Sequence, residues 1–461
     1  MKEFFASSLA ASMLVLTLQA QAGPADEVLD NKKTGPTITM VSNVMPDIKD
    51  LADKAAAGDV KSQLAYARMF ASGRGIKQDL TQAAKWYQLA AEQGNGEAQA
   101  SLGYLYIHGR GVEKNINEGI KWYMLGVAQA NKMAQNNFAH QYLNGQGVEK
   151  DVLEAFRLFK LSAQQNYPLG QANLAYMYER GLGVEQNYAE AVKWYGLAAA
   201  QKSPEGQNGM GNMYAYGRGV DLDFAEAVKW YRLAAQQGFS PAQFNLAYHY
   251  FKGDGIGKDD ILAVKWYSLA AEQGFARAQY NLANHYANGQ GTGKDMVQAI
   301  KWYTRAAEQG HSGAQATLGM RYEFGMDTAP DPVQALKWLT LAAEQGVDRA
   351  QNYLGEKYLK GRNVAKDAVL ALKWIRMSAE QGYAPALLNL AEMSEKGEGM
   401  ASDPERAYMW YTLSADASLA SVREPAQARL QALADKLSAE KIARANSLAV
   451  TCKARNFKNC M

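Results

Sequence analysis

The sequence predicts an all-α protein, an α/α solenoid (superhelix) of ten 36-residue helix-turn-helix repeats, and three observations carry that prediction. All nine tryptophans share one register: Trp86, Trp122, Trp194, Trp230, Trp266, Trp302, Trp338, Trp374 and Trp410 are 36 residues apart, with one double step where Leu158 fills the column. A glycine column keeps the same period through Gly73, Gly109, Gly145, Gly181, Gly217, Gly253, Gly289, Gly325, Gly361 and Gly397. Between these columns the apolar residues recur at helical spacing, and no segment reads convincingly as a strand. One supersecondary unit has been copied without net insertion, and such units stack because none covers its apolar face alone.

Residues 1–22 read as an export signal. Lys2 and the amino terminus outweigh Glu3, an apolar run follows from Phe4 to Leu18, and Ala20-Gln21-Ala22 offers a small-x-small cleavage site before Gly23. The run is short for a bilayer span, and no later segment stays apolar for about twenty residues, so no transmembrane segment is expected. No cysteine follows the run, so no lipid anchor is expected. The mature chain is expected to be periplasmic or secreted. Residues 23–46, with Pro24, Gly35, Pro36 and scattered charges, read as a flexible arm. Residues 47–58 repeat the second helix of the unit in register, but Asp50 takes the tryptophan position, as an N-terminal capping helix with a polar outer face requires.

The repeats span residues 59–419, and the stretch from Ala242 to Phe275 serves as their example. Helix A runs from Ala242 to Phe251 with Leu246, Ala247 and Tyr250 on its apolar side. Gly253-Asp254-Gly255 ends it, because glycine supplies the positive φ of a tight helix exit. Asp259 and Asp260 are placed to cap helix B, which runs from Ile261 to Gln273 with Ala263, Trp266, Tyr267, Ala270 and Ala271 inward. Gly274 then turns the chain into the next unit. Alanine pairs such as Ala90/Ala91, Ala234/Ala235 and Ala306/Ala307 let helices approach closely, and the aromatics fill the adjoining space, so the tryptophan column reads as core.

Some units depart from the pattern. Leu158-Phe159 replaces Trp-Tyr in the third repeat, and the helix B stop becomes Ala130, Asn166 and Lys202 in three consecutive units. Asparagine tolerates the left-handed conformation, whereas alanine and lysine do so poorly. Altered inter-repeat geometry is therefore expected from about Gly126 to Pro204, as a bend, a binding epitope or plain drift. The end, residues 420–461, reads as closing helices over Pro425–Lys436 and Ala439–Ala449, with Ser438 as N-cap, and a tail. Cys452 and Cys460 are the only cysteines. Export favours a disulfide between them over two free thiols. Eight residues of unbroken helix rise about 12 Å, so pairing needs a turn near Asn456 and would pin a fraying end.

The balance of 49 basic against 46 acidic side chains gives no whole-chain case for nucleic acid. From Ser421 onward eight Lys or Arg stand against three acids, as a solvated helix face or an acidic-partner contact. Enzyme signals are poor. Ser438-x-x-Lys441 and Lys33-Thr34-Gly35 match two fragments of a penicillin-recognising signature, but the Ser-Asp-Asn element is absent and the fragments lie at opposite ends. His249 and His285 share a column one repeat apart, roughly 10 Å by helix packing distance, too far for one metal ion. No enzyme, cofactor or metal site is expected, and a hydrolase such as a β-lactamase is the remotest alternative.

Residues 278–310, AQYNLANHYANGQGTGKDMVQAIKWYTRAAEQG, resemble the Sel-1-like repeat family, relatives of the tetratricopeptide repeat with a slightly longer unit. The resemblance covers roughly residues 47–419. It implies an α/α solenoid acting as adaptor, scaffold or binding protein, and exported bacterial members include host-interaction proteins and assembly scaffolds. By analogy with tetratricopeptide stacks, helix A lines a concave groove, which places the residue five before each reference glycine there: Arg68, Tyr104, His140, Tyr176, Asn212, Tyr248, Asn284, Met320, Glu356 and Glu392. This column varies far more than its neighbours, as a specialised surface would, and so does the residue just before the glycine, which includes Tyr216, Lys252 and Lys360. Tyr104, Tyr176, Tyr216 and Tyr248 suggest an aromatic middle, although some could pack on the adjacent helix A, while Glu356 and Glu392 suggest an acidic far end. A recurring asparagine (Asn137, Asn173, Asn245, Asn281, Asn389) reads chiefly as a structural hydrogen bond to the neighbouring helix. The expected function is binding of a protein or peptide in the groove by a monomer, as adaptor or host-interaction factor. The alternative is a periplasmic scaffold of an envelope or polysaccharide-export assembly.

Overall fold

The computed structural model describes residues 48–460, which hold 23 α-helices and no strand. The expected leader and arm, with Lys33-Thr34-Gly35, lie outside the described residues. The helices fall into two compact units divided after Lys258. The first holds α1 (Ile48–Ala56) and then A/B hairpins α2 (Val60–Ser72)/α3 (Leu80–Glu92), α4 (Gly96–His108)/α5 (Ile116–Ala128), α6 (Lys132–Asn144)/α7 (Val152–Gln164), α8 (Pro168–Arg180)/α9 (Tyr188–Ala200) and α10 (Pro204–Tyr216)/α11 (Phe224–Gln236), ending with helix A α12 (Ser240–Lys252). The second holds helix B α13 (Asp260–Glu272), hairpins α14 (Ala276–Asn288)/α15 (Met296–Glu308), α16 (Ser312–Phe324)/α17 (Pro332–Glu344), α18 (Asp348–Lys360)/α19 (Ala368–Ala379) and α20 (Ala384–Lys396)/α21 (Pro404–Ala415), then α22 (Ala420–Ala434) and α23 (Ala439–Ala454). Each unit is an α-solenoid.

Local chemistry sets the boundaries. Each B helix from α3 to α21 starts behind an Asp or Asn in extended conformation whose side chain accepts a backbone N–H of the first turn, as Asp259 does from Leu262 at 2.8 Å. Such a cap is worth about 1 kcal/mol. Each A helix ends at the reference glycine in the left-handed region, for example Gly109 at φ 64°. The second glycine of the turn answers to packing and not only to helix termination: a Cβ on Gly111 would strike the backbone of Leu80, at the start of the preceding helix B. The helix bounds differ from those expected: Ser240–Lys252 is longer than Ala242–Phe251, Asp260–Glu272 is Ile261–Gln273 shifted by one residue, and Ala420–Ala434, with Pro425 inside it, starts and ends before Pro425–Lys436.

The core is alanine and aromatic, with one change of emphasis. Trp302, Trp338, Trp374 and Trp410 are buried, but Trp86, Trp122, Trp194, Trp230 and Trp266 are only half-buried. The residue after each is the deeper one, as at Tyr123, Tyr195 and Tyr231 in the first unit and Tyr267, Leu339, Ile375 and Tyr411 in the second. A helical stripe facing two neighbours centres on that position, and the larger indole closes its edge.

At Ala130, Asn166 and Lys202 the turn persists: all three adopt φ of 55–62°, and their N–H groups bond as that of Gly94 does. The local turn is therefore kept there, because two backbone hydrogen bonds outweigh the left-handed penalty. The irregularity lies on the A side. Consecutive A helices from α4 through α12 approach one another closely, and no pair of consecutive B helices in that unit does so to the same extent, so the first unit curves toward its A face. Glycines let α10 sit close to the B helices on either side: a Cβ on Gly209 or Gly211 would collide with the ring of Tyr195 in α9 or Tyr231 in α11.

At the C-terminal end Ser438 Oγ caps α23 by accepting from Lys441 N at 3.4 Å, which is what its spacing to Lys441 achieves. The helix stops at Ala454, Asn456 and Phe457 turn left-handed, and Cys452 and Cys460 are joined with their Cα atoms 5.3 Å apart. The loop so closed lays the Phe457 ring against Gly382.

Candidate functional site

The A face of the first unit is where sequence variation and curvature coincide. Along it the expected column holds residues of differing availability. Arg68 is exposed and pairs with Glu97. Tyr104 is buried, its ring 4.3 Å from that of His108, and packs against the helices instead of facing solvent. His140 is enclosed: its ring meets Phe159 edge-on at 4.9 Å, Nε2 lies 3.1 Å from Asn173 Nδ2, and burial pushes its pKa down to about 4. Asn212 is buried, accepting from the Tyr231 hydroxyl at 2.8 Å and from Asn245 at 3.4 Å. Tyr176 and Tyr248 are half-buried, and Tyr216 is exposed.

Two of these tyrosines have cations beside their rings. The Arg218 guanidinium lies 4.9 Å from the Tyr216 ring and pairs with the buried Glu179 at 2.9 Å. Lys252 reaches over both Tyr248 and Phe251 at just under 6 Å (5.9 and 5.8 Å). Burial raises the hydroxyl pKa of Tyr176 and Tyr248, so both remain neutral donors at physiological pH. At the opposite rim, burial lifts Tyr167 to about 12, with the carboxylates of Glu205 and Glu97 adding to it. Carboxylates three repeats apart thus act on one hydroxyl, as a contracted face requires.

In the second unit the same column is spent on internal pairing. Asn284 accepts from the Tyr303 hydroxyl at 2.6 Å. Glu356 accepts from Asn352, Asn389 and Lys360, and Glu392 from Lys396 at 3.2 Å. Each glutamate has a lysine one helical turn on, so the expected acidic end is neutralised where it stands. Met320 is half-buried.

The recurring asparagine joins consecutive A helices: Asn173 to Asn136, Asn245 to Asn208 and Asn389 to Asn352, at 2.8–3.0 Å. A second polar system went unread. The glutamine ending most B helices donates to a buried glutamine thirty residues earlier, as Gln129 does to Gln99 at 3.0 Å and Gln309 to Gln279 at 2.8 Å. Both glutamines recur every 36 residues, and that periodicity was the available signal. Among the described residues no group of three or more His, Cys, Asp or Glu could hold a metal ion, and no helix is long and apolar enough to cross a membrane. His249 and His285 each engage a backbone carbonyl through Nδ1, that of Asp254 and of Gln290.

Fold and site together define a repeat solenoid that presents extended surfaces. The chain belongs to the Sel1 repeat family: ten Sel1 repeats match residues 60–95, 96–129, 132–167, 168–203, 204–239, 240–275, 276–311, 312–347, 348–383 and 384–419. Proteins of this kind are protein-interaction scaffolds and generally non-enzymatic. Similar solved structures include a protective antigen present in uropathogenic Escherichia coli strains and displaying an SLR fold, 31% identical over 90% of this chain and 96% of that one, with a TM-score of 0.59. Another is a Sel1 repeat protein from Oxalobacter formigenes, 31% identical over 67% of this chain and 89% of that one, with a TM-score of 0.49. No curated protein matches the chain.

Proposed function

We propose that this is an exported, non-catalytic binding protein that holds a protein or peptide partner on the A face of its first unit, as a host-directed adaptor. The observation that carries the reading is the group Tyr176, Tyr216 and Tyr248, which keeps exposed aromatic surface beside Arg218 and Lys252 where the A helices converge. Tyrosine gives large contact area at low entropic cost, and the rigid stack fixes the spacing of many weak contacts. Likeness to a protective antigen of uropathogenic strains supports a host-facing role. The leader-like residues 1–22 support export, and N-terminal sequencing of the mature protein should begin at Gly23.

The test is capture from host secretions and from envelope extract with the chain from Gly23 onward. Replacing Tyr176, Tyr216 and Tyr248 by alanine should abolish retention of the captured protein; unchanged retention would refute the assignment. Tyr104 is left intact, because its ring is part of the packing. A chain that stays periplasmic and co-purifies with envelope proteins would instead support the scaffold reading.

A further inference from the structure

The second unit carries a surface that the groove reading does not use, and its last repeat shows what can lie on it. Helix α23 packs along the outer side of α21. Arg444 grips Glu405 near the start of α21, and Lys453 meets Asp416 just past its end at 2.7 Å, so the two helices run parallel. Between these ion pairs Met409 and Leu413 are covered, and α23 contributes Ala445, Ala449 and Cys452 to the same core. Leu413 is 7% exposed, whereas Leu269, its counterpart four repeats earlier, is 37% exposed. The outer side of helix B is therefore a helix-docking face, and among the described residues it is filled in cis only at the last repeat.

On α13, α15, α17 and α19 the same positions are open and differently furnished. The Glu405 position becomes Ile261, Val297, Val333 and Val369, which are 71–77% exposed. The Met409 position becomes Lys265, Lys301, Lys337 and Lys373. In the first unit such a cation is neutralised by a glutamate three residues before it, as in Lys121–Glu118, Arg157–Glu154, Lys193–Glu190 and Lys229–Glu226. In the second unit that glutamate is replaced by Leu262, Gln298, Gln334 or Leu370, so the lysine loses that partner. Two of the lysines lie over their own tryptophans instead, Lys337 at 4.4 Å and Lys373 at 5.1 Å. Further along each helix stands Glu272, Glu308, Glu344 or Glu380.

We propose that these outer faces dock an amphipathic helix of a partner protein, laid parallel to helix B as α23 lies on α21, with a carboxylate opposite the lysine. The order along each helix, aliphatic, cation, then anion, asks for a partner carrying both signs of charge. A uniformly anionic lipid surface would match the lysines and repel the glutamates. A face already used for a helix at its continuation needs only a new sequence to accept another.

The probe is a 16-residue peptide of the α23 sequence with Arg444→Leu, Leu448→Glu and Cys452→Ala, which sets an apolar side chain opposite the aliphatics and a carboxylate level with the lysines. Titrated by fluorescence anisotropy against the full chain, it should bind, and binding should weaken with salt. The chain carrying Lys265→Glu, Lys301→Glu, Lys337→Glu and Lys373→Glu should bind it at least about tenfold more weakly and should recover a peptide with lysine at position 448. These exposed substitutions should leave the circular dichroism unchanged, and Tyr176→Ala should not alter binding, which separates this surface from the groove. Absence of peptide binding, or binding indifferent to the lysine row, overturns the proposal. So does lysine-dependent sedimentation with phosphatidylcholine–phosphatidylglycerol vesicles without peptide binding, which would assign the surface to lipid.

Discussion

The Lys357 ammonium stands 2.6 Å from a carboxylate oxygen of Glu323, with the two side chains only 1% and 7% exposed. They come from consecutive A helices, α18 and α16, and form a buried ion pair between repeats. Such a pair contributes little net stability over an apolar substitute, but removing one partner strands a charge at a cost of about 3–5 kcal/mol. Glu323→Gln should therefore destabilise the second unit by about that amount, read as a lowered urea midpoint. The paired replacement Glu323→Leu with Lys357→Met should recover most of the loss. Similar midpoints for the single and paired variants would show that the charges are not coupled.

The glutamine ladder makes a more distributed claim. Gln99 donates to the Ala91 carbonyl at 3.1 Å and accepts from Gln129 at 3.0 Å, so one buried amide ties a helix B end to the helices on either side. Gln129→Ala leaves the Gln99 oxygen without that donor and should cost about 1 kcal/mol. Gln99→Ala removes both side-chain bonds at once, to the Ala91 carbonyl and from Gln129, and should cost more. A double-mutant cycle should return a coupling of roughly 0.5–1.5 kcal/mol, and additive effects would contradict the ladder.

This ladder also marks what sequence reading reached. Trp and Gly columns were legible because each answers to one requirement repeated without change, a packing volume or a left-handed φ. Gln99 and Gln129 sit in equally regular columns, yet a polar residue at fixed spacing carries no sign of whether it faces water or a neighbour. The candidate groove column was harder still. Its variability was visible, but variation also arises where each repeat solves its own hydrogen-bonding problem, as Asn212 does with Tyr231 and Glu356 with Asn389. The Glu323–Lys357 pair has no period at all, so only the packed helices bring it together.

Three helix B stops without glycine offer a stabilising change. Lys202 holds φ 62° and Ala130 φ 55°, where a Cβ is penalised. Lys202→Gly should raise stability by about 0.5–1 kcal/mol, since relief of left-handed strain exceeds the added unfolded-state entropy. Gly238→Ala, at the matching position one repeat on and at φ 84°, should lower it. Thermal denaturation of the two variants should move in opposite directions.

The Cys452–Cys460 loop closes on the helix that covers α21. For so short a loop the chain-entropy model gives about 2.5 kcal/mol. Its loss should be felt locally. Cys452→Ala with Cys460→Ala should speed amide exchange across 439–454 while leaving α14 to α19 unchanged, and uniform loss of protection would contradict a local role.

Acid should act most strongly through two histidines, one in each unit. His140 is enclosed by Phe159 and Asn173, and protonating Nε2 would set one donor against the amide of another. His311 caps α16 by accepting the Ala314 N–H at 3.2 Å and stacks on Tyr280 at 4.6 Å, so a proton on Nδ1 abolishes its cap. Burial pushes both pKa values down to about 4, and Arg277 assists at His311. An unfolded histidine takes its proton near pH 6.5, so between there and about 4 the unfolded chain binds more protons than the folded one. Stability is then full above about pH 7 and falls as pH drops through that window, by up to roughly 3 kcal/mol per histidine. His140→Gln, which can still accept from Asn173, should flatten the acid limb of the first unit between pH 7 and 4.5. Urea midpoints that fall just as steeply with pH in this variant would place the acid sensitivity elsewhere.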